Sequence, residues 1–474
     1  LLSEKIQIDF RNSFPYPLSA SQDVWLEKMA VFLSDTASKT LFLMAGYAGT
    51  GKSTMIGHLV KRLQPLGYKS VLLAPTGRAA KVLSVFSKRK AFTIHKHIYY
   101  TKANKTGGVH FQLKPNKYKN TLFIVDEASM ISDDRQSNRL FENGSVLDDL
   151  IQYVSGGDQC RLIFIGDTAQ LPPVHLEVSP AMDSDQLEGI YQLSTYSSIL
   201  TDVIRQEKAS GILHNATRLR QLISDQLGTG FQFDLKGFAD IHRIQDGNEL
   251  LEALSSALQN EGIDQTAFLV RSNKRANLYN QSIRQRILFL EAELAVGDHL
   301  MVVKNNYFWL DDNAEAGFIA NGDTIIIERI YGYKNLYGFE FAEVQITLAD
   351  YPSQAPFDTF ILLDTLKSET AALPNEDTDR LYHEVMKDYA NIASKYKRLL
   401  KVKNNPYFNA LQVKYSYAIT CHKSQGGQWN TVFVEQPYLA EGTNVAYYRW
   451  LYTALTRAKE KLFLVNFKEE FFND

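Results

Sequence analysis

One short stretch constrains this chain more than any other. Gly46-Tyr-Ala-Gly-Thr-Gly51-Lys52-Ser53-Thr54 follows the apolar run Leu41-Phe-Leu-Met-Ala45 and precedes an amphipathic segment, Met55 to Leu63. The order reads as a buried strand, a phosphate loop and a helix. Gly46, Gly49 and Gly51, with Thr50 between them, let backbone N–H groups turn inward around phosphate oxygens. The helix N-terminus, where Thr54 lies, adds positive potential. Lys52 is placed to reach the β and γ phosphates, and Ser53 to ligate magnesium. ATP and Mg2+ are therefore the expected cofactors.

Two further strand ends carry polar groups suited to the same site. Thr121-Leu-Phe-Ile-Val125 runs into Asp126-Glu127-Ala-Ser129, and Arg161-Leu-Ile-Phe-Ile165 runs into Gly166-Asp-Thr-Ala-Gln170-Leu-Pro-Pro173. Asp126 is the expected metal-side carboxylate, and Glu127 the base that orients and deprotonates the attacking water. Gln170 is placed to sense the γ phosphate. One such acid is more often a helix cap than a catalyst, but three strand-end motifs in this order favour a nucleotide site.

At 474 residues the chain has room for two or three units of roughly 100 to 200 residues each. Its net charge is −2, so bulk electrostatics gives no sign of nucleic acid, and any basic track must be local. Two cysteines, Cys160 and Cys421, make neither a disulfide framework nor a multi-cysteine zinc site, which fits a reducing, cytoplasmic compartment. The apolar run at Leu41–Ala45 falls far short of the roughly 20 residues a membrane span needs. Glu4, Asp9, Pro15 and Pro17 interrupt any signal-peptide pattern.

Asp126-Glu-Ala-Ser together with Gly166-Asp-Thr-Ala-Gln-Leu-Pro-Pro resembles motifs II and III of superfamily 1B DNA helicases, the RecD/Dda-like group, and the likeness extends over most of the chain. Gln22 looks like the Q motif, which implies a role in reading adenine. Ala74-Pro75-Thr76-Gly77-Arg78-Ala-Ala80 is similar to motif Ia and Thr93-Ile-His95 to the DNA-contact motif that follows, which implies strand contacts by Pro75, Thr76, Arg78 and His95. Ile204-Arg205-Gln206 resembles motif IV. Tyr417-Ala-Ile-Thr420-Cys-His422-Lys423-Ser424-Gln-Gly426 resembles motif V, and Leu451-Tyr-Thr-Ala-Leu-Thr456-Arg457-Ala-Lys459 resembles motif VI. The resemblance makes Arg205 and Arg457 candidate arginine fingers, and assigns Thr420, His422, Lys423 and Ser424 to the DNA strand. Gly426 and Gln428 would face the nucleotide. Gln428 stands where many superfamily 1 chains carry a ribose-contacting glutamate, which bears on sugar preference and not on hydrolysis.

The implied architecture is two RecA-like α/β motor domains with ATP between them: 1A over residues 1–97 and 121–200, and 2A over 201–327 and 411–474. Residues 98–120, with two short strand-like runs around Asn104-Lys-Thr-Gly-Gly108, read as a β-hairpin. By resemblance this is insert 1B, the pin that parts a duplex, and Tyr99, Tyr100, His110 and Phe111 are its candidate fork contacts. Residues 328–410 read as strands followed by a lysine- and tyrosine-rich helical stretch, Asp377 to Lys403, and resemble an SH3-like insert 2B. The charge run Lys387, Lys395, Lys397, Arg398 and Lys401 is most simply a solvated face. The polar turns Gly297-Asp298 and Asn321-Gly322-Asp323 admit either a structural or a functional reading.

These features imply a DNA helicase or translocase that moves on single-stranded DNA and at single-strand/duplex junctions. The 5′ to 3′ polarity rests on the resemblance alone. A monomeric motor with repair or replication partners is expected. The alternatives are a single-strand translocase without unwinding, an RNA-directed motor, and a motor subunit of a larger recombination or repair nuclease complex.

Overall fold

A computed structural model describes residues 2–37, 39–103, 109–133, 144–203, 210–310, 314, 316–440 and 442–473, with the backbone alone at 101–103 and 109–111. The first half carries β1 (Thr40–Gly46), β2 (Lys69–Ala74), β3 (Ala91–Thr93), β4 (Tyr99–Ala103), β5 (Val109–Leu113), β6 (Thr121–Val125), β7 (Arg161–Gly166) and β8 (Ser194–Leu200). Six of these form a parallel sheet in the order β3-β2-β6-β7-β1-β8, and β4 and β5 pair with each other as an antiparallel hairpin. Strands β1, β6 and β7 are buried almost throughout and, after their first residues Thr40, Thr121 and Arg161, carry no polar side chain, because helices cover both faces, the usual condition of a parallel sheet. Trp25, Leu26 and Met29 of the helix Ala20–Ser34 pack on one face with Met55 and Leu59 of the helix Lys52–Leu63. Leu147, Leu150 and Tyr153 of the helix Val146–Ser155 cover the other. Full burial of each such side chain stabilises the fold by about 1.5–3 kcal/mol.

The second half has β9 (Ile241–Arg243), β10 (Thr266–Val270), β11 (His299–Val302), β12 (Thr324–Leu336), β13 (Phe339–Leu348), β14 (Phe357–Leu362), β15 (Leu411–Tyr415), β16 (Ala418–Thr420), β17 (Trp429–Glu435) and β18 (Ala458–Val465). A second parallel sheet runs β16-β10-β17-β18-β9, and β11 to β15 close into a barrel.

The barrel corrects the expected insert boundaries. β11, the start of β12 and β15 were all expected outside residues 328–410, yet β11 pairs with both β12 and β15 and seals the barrel. The physical reason lies in a buried ion pair. Arg284 donates to both oxygens of Asp298 (2.9 and 2.8 Å), and Asp298 also accepts from Tyr417 Oη at 2.8 Å and Ala295 N at 2.7 Å. This network pins the start of β11 beside the second sheet, so the chain enters the barrel near 299 and leaves it near 415. The Gly297-Asp298 turn is thus structural. The long β12–β13 hairpin turns through Tyr337 and Gly338, both at positive φ, and two helices, Asn375–Lys387 and Lys395–Lys403, close the barrel end around Phe339, Phe341 and Val402. Among the described residues no helix is long and apolar enough to cross a membrane.

Candidate nucleotide and nucleic-acid sites

In the parallel first sheet β1, β6 and β7 all end on one edge, so the phosphate loop, Asp126-Glu127 and Asp167–Gln170 converge there. Opposite them lies the edge of the second sheet at which β17 and β18 begin: Gln428 precedes Trp429, Arg457 precedes Ala458, and Trp429 N donates to Arg457 O at 2.9 Å. A cavity of about 520 Å3 separates the two edges. Gln22, Gly49, Gly51, Lys52, Ser53, Thr54, Asp126, Glu127 and Gln170 line it from one side, and Gly426, Gln428, Thr456, Arg457 and Lys459 from the other.

The loop is set by its main chain. Gly49 and Gly51 adopt φ of 78° and 84°, which side chains with a Cβ disfavour. Thr50 is buried, and its hydroxyl donates to Tyr47 O at 2.8 Å. Lys52 Nζ donates to Gly46 O (2.6 Å) and Tyr47 O (2.9 Å), and a Cβ added at Gly46 would meet the lysine stem at 2.9 Å. Burial and the adjacent Glu127 push the Asp126 carboxyl up to about 7, against backbone and Lys52 contributions that lower it. Glu127 sits in left-handed backbone at φ 53°, which turns it away from the strand direction into the cavity. Gln170 Oε1 is buried without a hydrogen-bond partner among the described residues. An acid pair in need of a cation, a glycine cradle and an unsatisfied acceptor together suit a magnesium-bound triphosphate.

Arg457 is buried, contrary to the solvated state usual for such a residue. Its guanidinium donates to Thr453 O (3.1 Å), Gly427 O (3.1 Å) and Thr456 Oγ1 (3.4 Å), all in its own half. Gln22 also departs from expectation. Its amide oxygen accepts from Ser19 N (3.2 Å) in a capping box and its nitrogen donates to Thr50 O (3.2 Å), so the amide braces the phosphate loop. Phe14, Tyr16 and Tyr47 add aromatic cavity wall that no motif had marked. Arg205 lies outside the described residues.

A second set of contacts crosses the cleft and was not foreseen. Tyr452 Oη, on the helix Val445–Leu455, donates to Asp167 Oδ2 at 2.8 Å and accepts from Ala48 N of the phosphate loop at 3.0 Å. Leu171 N donates to Thr453 Oγ1 at 2.8 Å, Gln425 Nε2 donates to Leu171 O at 2.8 Å, and Arg449 donates to Thr168 O. Tyr452 belongs to the motif VI-like stretch, but nothing in that stretch reveals its partners.

The strand-contact candidates divide. Thr76 caps the helix Gly77–Ser87 by accepting from Ala79 N, and Pro75 is half-buried beside it. Arg78 stacks on Trp429 at 4.7 Å and so links the halves. Thr420, His422 and Lys423 are half-buried at the end of β16; burial lowers the His422 imidazole and brings Lys423 down to about 8. Burial takes His95 down to about 4, so it is neutral, and it packs near Tyr99 and Phe318. Two candidates are corrected. Tyr99 points into the core and donates to Asp149 Oδ2 at 2.7 Å, because alternation along β4 turns it inward and leaves Tyr100 49% exposed. Ser424 is fully buried and donates to Cys421 O at 2.7 Å, closing its own turn. The side chains of His110 and Phe111 lie outside the described residues.

The Asn321-Gly322-Asp323 turn is also bound internally: Asp323 accepts from Ala320 N at 2.7 Å and packs close to Gly77 and Tyr351, where burial pushes its carboxyl up to about 7.

Comparison with known proteins agrees with this two-sided arrangement. The AAA domain family matches residues 30–226, and the UvrD-like helicase C-terminal domain family matches residues 415–465. The ATP-dependent RecD2 DNA helicase of Deinococcus radiodurans is 32% identical over 193 residues, 40% of this chain and 24% of that protein, so the chain spans about a quarter of that relative's length. The ATP-dependent DNA helicase dda of Enterobacteria phage T4 is 22% identical over 89% of this chain and 93% of its own. A solved Pif1 helicase from Bacteroides, in complex with ADP-AlF3 and ssDNA, is 15% identical, covering 97% of this chain and 95% of that one, with a TM-score of 0.47. With the phosphate-loop region matched by one family and the motif V–VI segment by the other, the chain is similar to the superfamily 1B helicases RecD2 and Dda.

Proposed function

We propose that the chain is an ATP-dependent DNA helicase that moves 5′ to 3′ on single-stranded DNA and unwinds duplex at single-strand/duplex junctions, acting as a monomer. The observation that carries this reading is the cavity between the two sheets, because a nucleotide held there touches both halves and its hydrolysis alters how they meet. Lys52 would exchange two main-chain carbonyls for phosphate oxygens, and Arg457 would exchange Gly427 O for the γ phosphate. Ser53 and Asp126 would hold Mg2+, which supplies neutralisation of phosphate charge. Glu127 takes the proton of the attacking water.

Thr76 and Arg78 on one half, and Thr420, His422 and Lys423 on the other, would grip the strand backbone, a mode tolerant of sequence. Within residues 98–120 the β4–β5 hairpin then serves as the pin and the barrel as the second insert, in the domain plan of the RecD/Dda group, with repair or recombination as the setting. Strand displacement on 5′-tailed and 3′-tailed duplexes, with and without ATP, tests the reading. Unwinding of the 5′-tailed substrate alone is expected. ATP-dependent movement on single strands without displacement would make the chain a translocase, and dependence on a second protein would make it a subunit.

A further inference from the structure

A second cavity, of about 460 Å3, opens at the base of the β4–β5 hairpin. Its walls are aromatic and its charges are all positive: among the described residues, Phe92, His97, Tyr100, Tyr118 and Tyr153 line it with Lys96, Lys114 and Lys117, and no carboxylate does. Tyr118 is 37% and Tyr100 49% exposed, so two ring faces meet solvent. At the floor, the His97 ring lies 5.6 Å from Tyr118 and 5.9 Å from Tyr153, and its Nε2 is buried without a hydrogen-bond partner among the described residues. Burial takes this imidazole down to about 4, so near neutral pH it is uncharged and its Nε2 can meet a base edge as donor or acceptor according to the tautomer. Lys114 Nζ stands 5.4 Å over the Tyr100 ring at the rim.

The location separates this cavity from the nucleotide cavity, with which it shares no lining residue. Pro115, Lys117 and Tyr118 precede β6 and Tyr153 lies near the end of the helix before β7, while Lys96 and His97 belong to the short helix Ile94–Ile98 after β3, so the cavity extends from the edge where β6 begins to that helix. The nucleotide cavity, Thr76 and Arg78 follow strand ends at the opposite edge. Tyr100 and Lys114, at the base of the hairpin, line the second cavity directly. We propose that this cavity binds the displaced single strand: one unpaired base enters between Tyr118 and Tyr100 and meets His97, while its flanking phosphates lie on Lys114 and Lys117. The inference rests on the reading of the chain as a motor working at a fork.

The test uses the full chain with forked DNA carrying 2-aminopurine in one tail at a time. The displaced tail should be quenched on binding. Tyr118→Leu should weaken binding of the fork by about tenfold through lost stacking, and Lys117→Glu by about tenfold through lost phosphate attraction that fades as salt is raised. They should leave affinity for the same duplex without its displaced tail, and single-strand-stimulated ATPase, within about twofold of wild type. His97→Phe, which removes the base-edge contact but keeps a ring, should weaken only the fork. An unquenched displaced tail, equal losses on both substrates, or competition by free mononucleotide in place of the tail would overturn the proposal. Absence of single-strand-stimulated ATPase in the wild-type protein would instead overturn the motor reading.

Discussion

The two walls of the nucleotide cavity are built by different means. The first is main chain: positive-φ glycines, parallel strand ends and a lysine resting on carbonyls of its own loop. The second is side chain, with Arg457 bound to carbonyls in its own half and contact across the gap made through Tyr452, Thr453, Gln425 and Arg449. A main-chain wall keeps its shape whatever the other half does, whereas a wall of arginine and tyrosine can exchange partners without refolding. In the proposed function, the first wall would hold the nucleotide and the second would change its partners as hydrolysis alters how the halves meet.

That contrast can be broken most severely at Arg457. Arg457→Ala should lower single-strand-stimulated ATP hydrolysis by about 10^3-fold or more, the range seen for arginine fingers, with little change in nucleotide binding. Steady-state ATPase and fluorescent-nucleotide titration check both halves of that statement; normal hydrolysis would show the arginine to be structural.

On the first wall, Glu127→Gln should cost about 10^2- to 10^4-fold in turnover while nucleotide and single-strand binding persist, since the metal-side acid and Lys52 remain. Lys52→Ala should differ by weakening nucleotide binding as well. Near wild-type turnover in the Glu127→Gln variant would remove Glu127 from the base role.

The bridge between the walls should respond more mildly. Tyr452→Phe deletes one bond to Asp167 and one from Ala48 N–H while keeping the ring, leaving buried groups short of partners at a cost of about 1–3 kcal/mol. The expected result is about a tenfold fall in the ratio of single-strand-stimulated to basal ATPase, with Mg-nucleotide affinity changed less. An unchanged ratio would mean that the halves communicate elsewhere.

The smallest effect is expected at Asp323, which lies beside Gly77 at the start of the helix Gly77–Ser87 and does not itself line the nucleotide cavity. Its folded-state carboxyl stands at about 7 against an ordinary 3.8, raised by burial and by Asp350 and opposed by Ala320 N and Arg78. A raised carboxyl contributes stability that is full below about pH 4 and lost as pH rises through about 7. Asp323→Asn should therefore raise the melting temperature by a few degrees at pH 8 and by much less at pH 5, with ATPase unchanged. An equal shift at both values would exclude protonation as the cause.

Much of the first half was legible in advance because its signals are local. Runs such as Leu122 to Val125 and Leu162 to Gly166 are unbroken by polar side chains and end in polar motifs, so strand, end and facing edge follow from a few residues. The barrel was only half legible. β12, β13 and β14 announce themselves, but β11 and β15 are short strands whose pairing joins Met301 to Lys414, far apart in the chain. Tyr99 and Tyr100 look alike in sequence, and only the register of the hairpin against the core decides which is buried.

By itself the sequence determined the phosphate loop, the acids that accompany it and the order of the motifs, because each depends on residue types at fixed short spacing along one strand–turn–helix path. The tertiary structure alone decided what lies opposite. Tyr452 meets Asp167 across 285 residues and Ala48 across 404, and Arg78 finds Trp429 across the cleft. Such contacts have no period or spacing to read, since they arise only when two separate sheets bring unrelated edges within hydrogen-bonding distance.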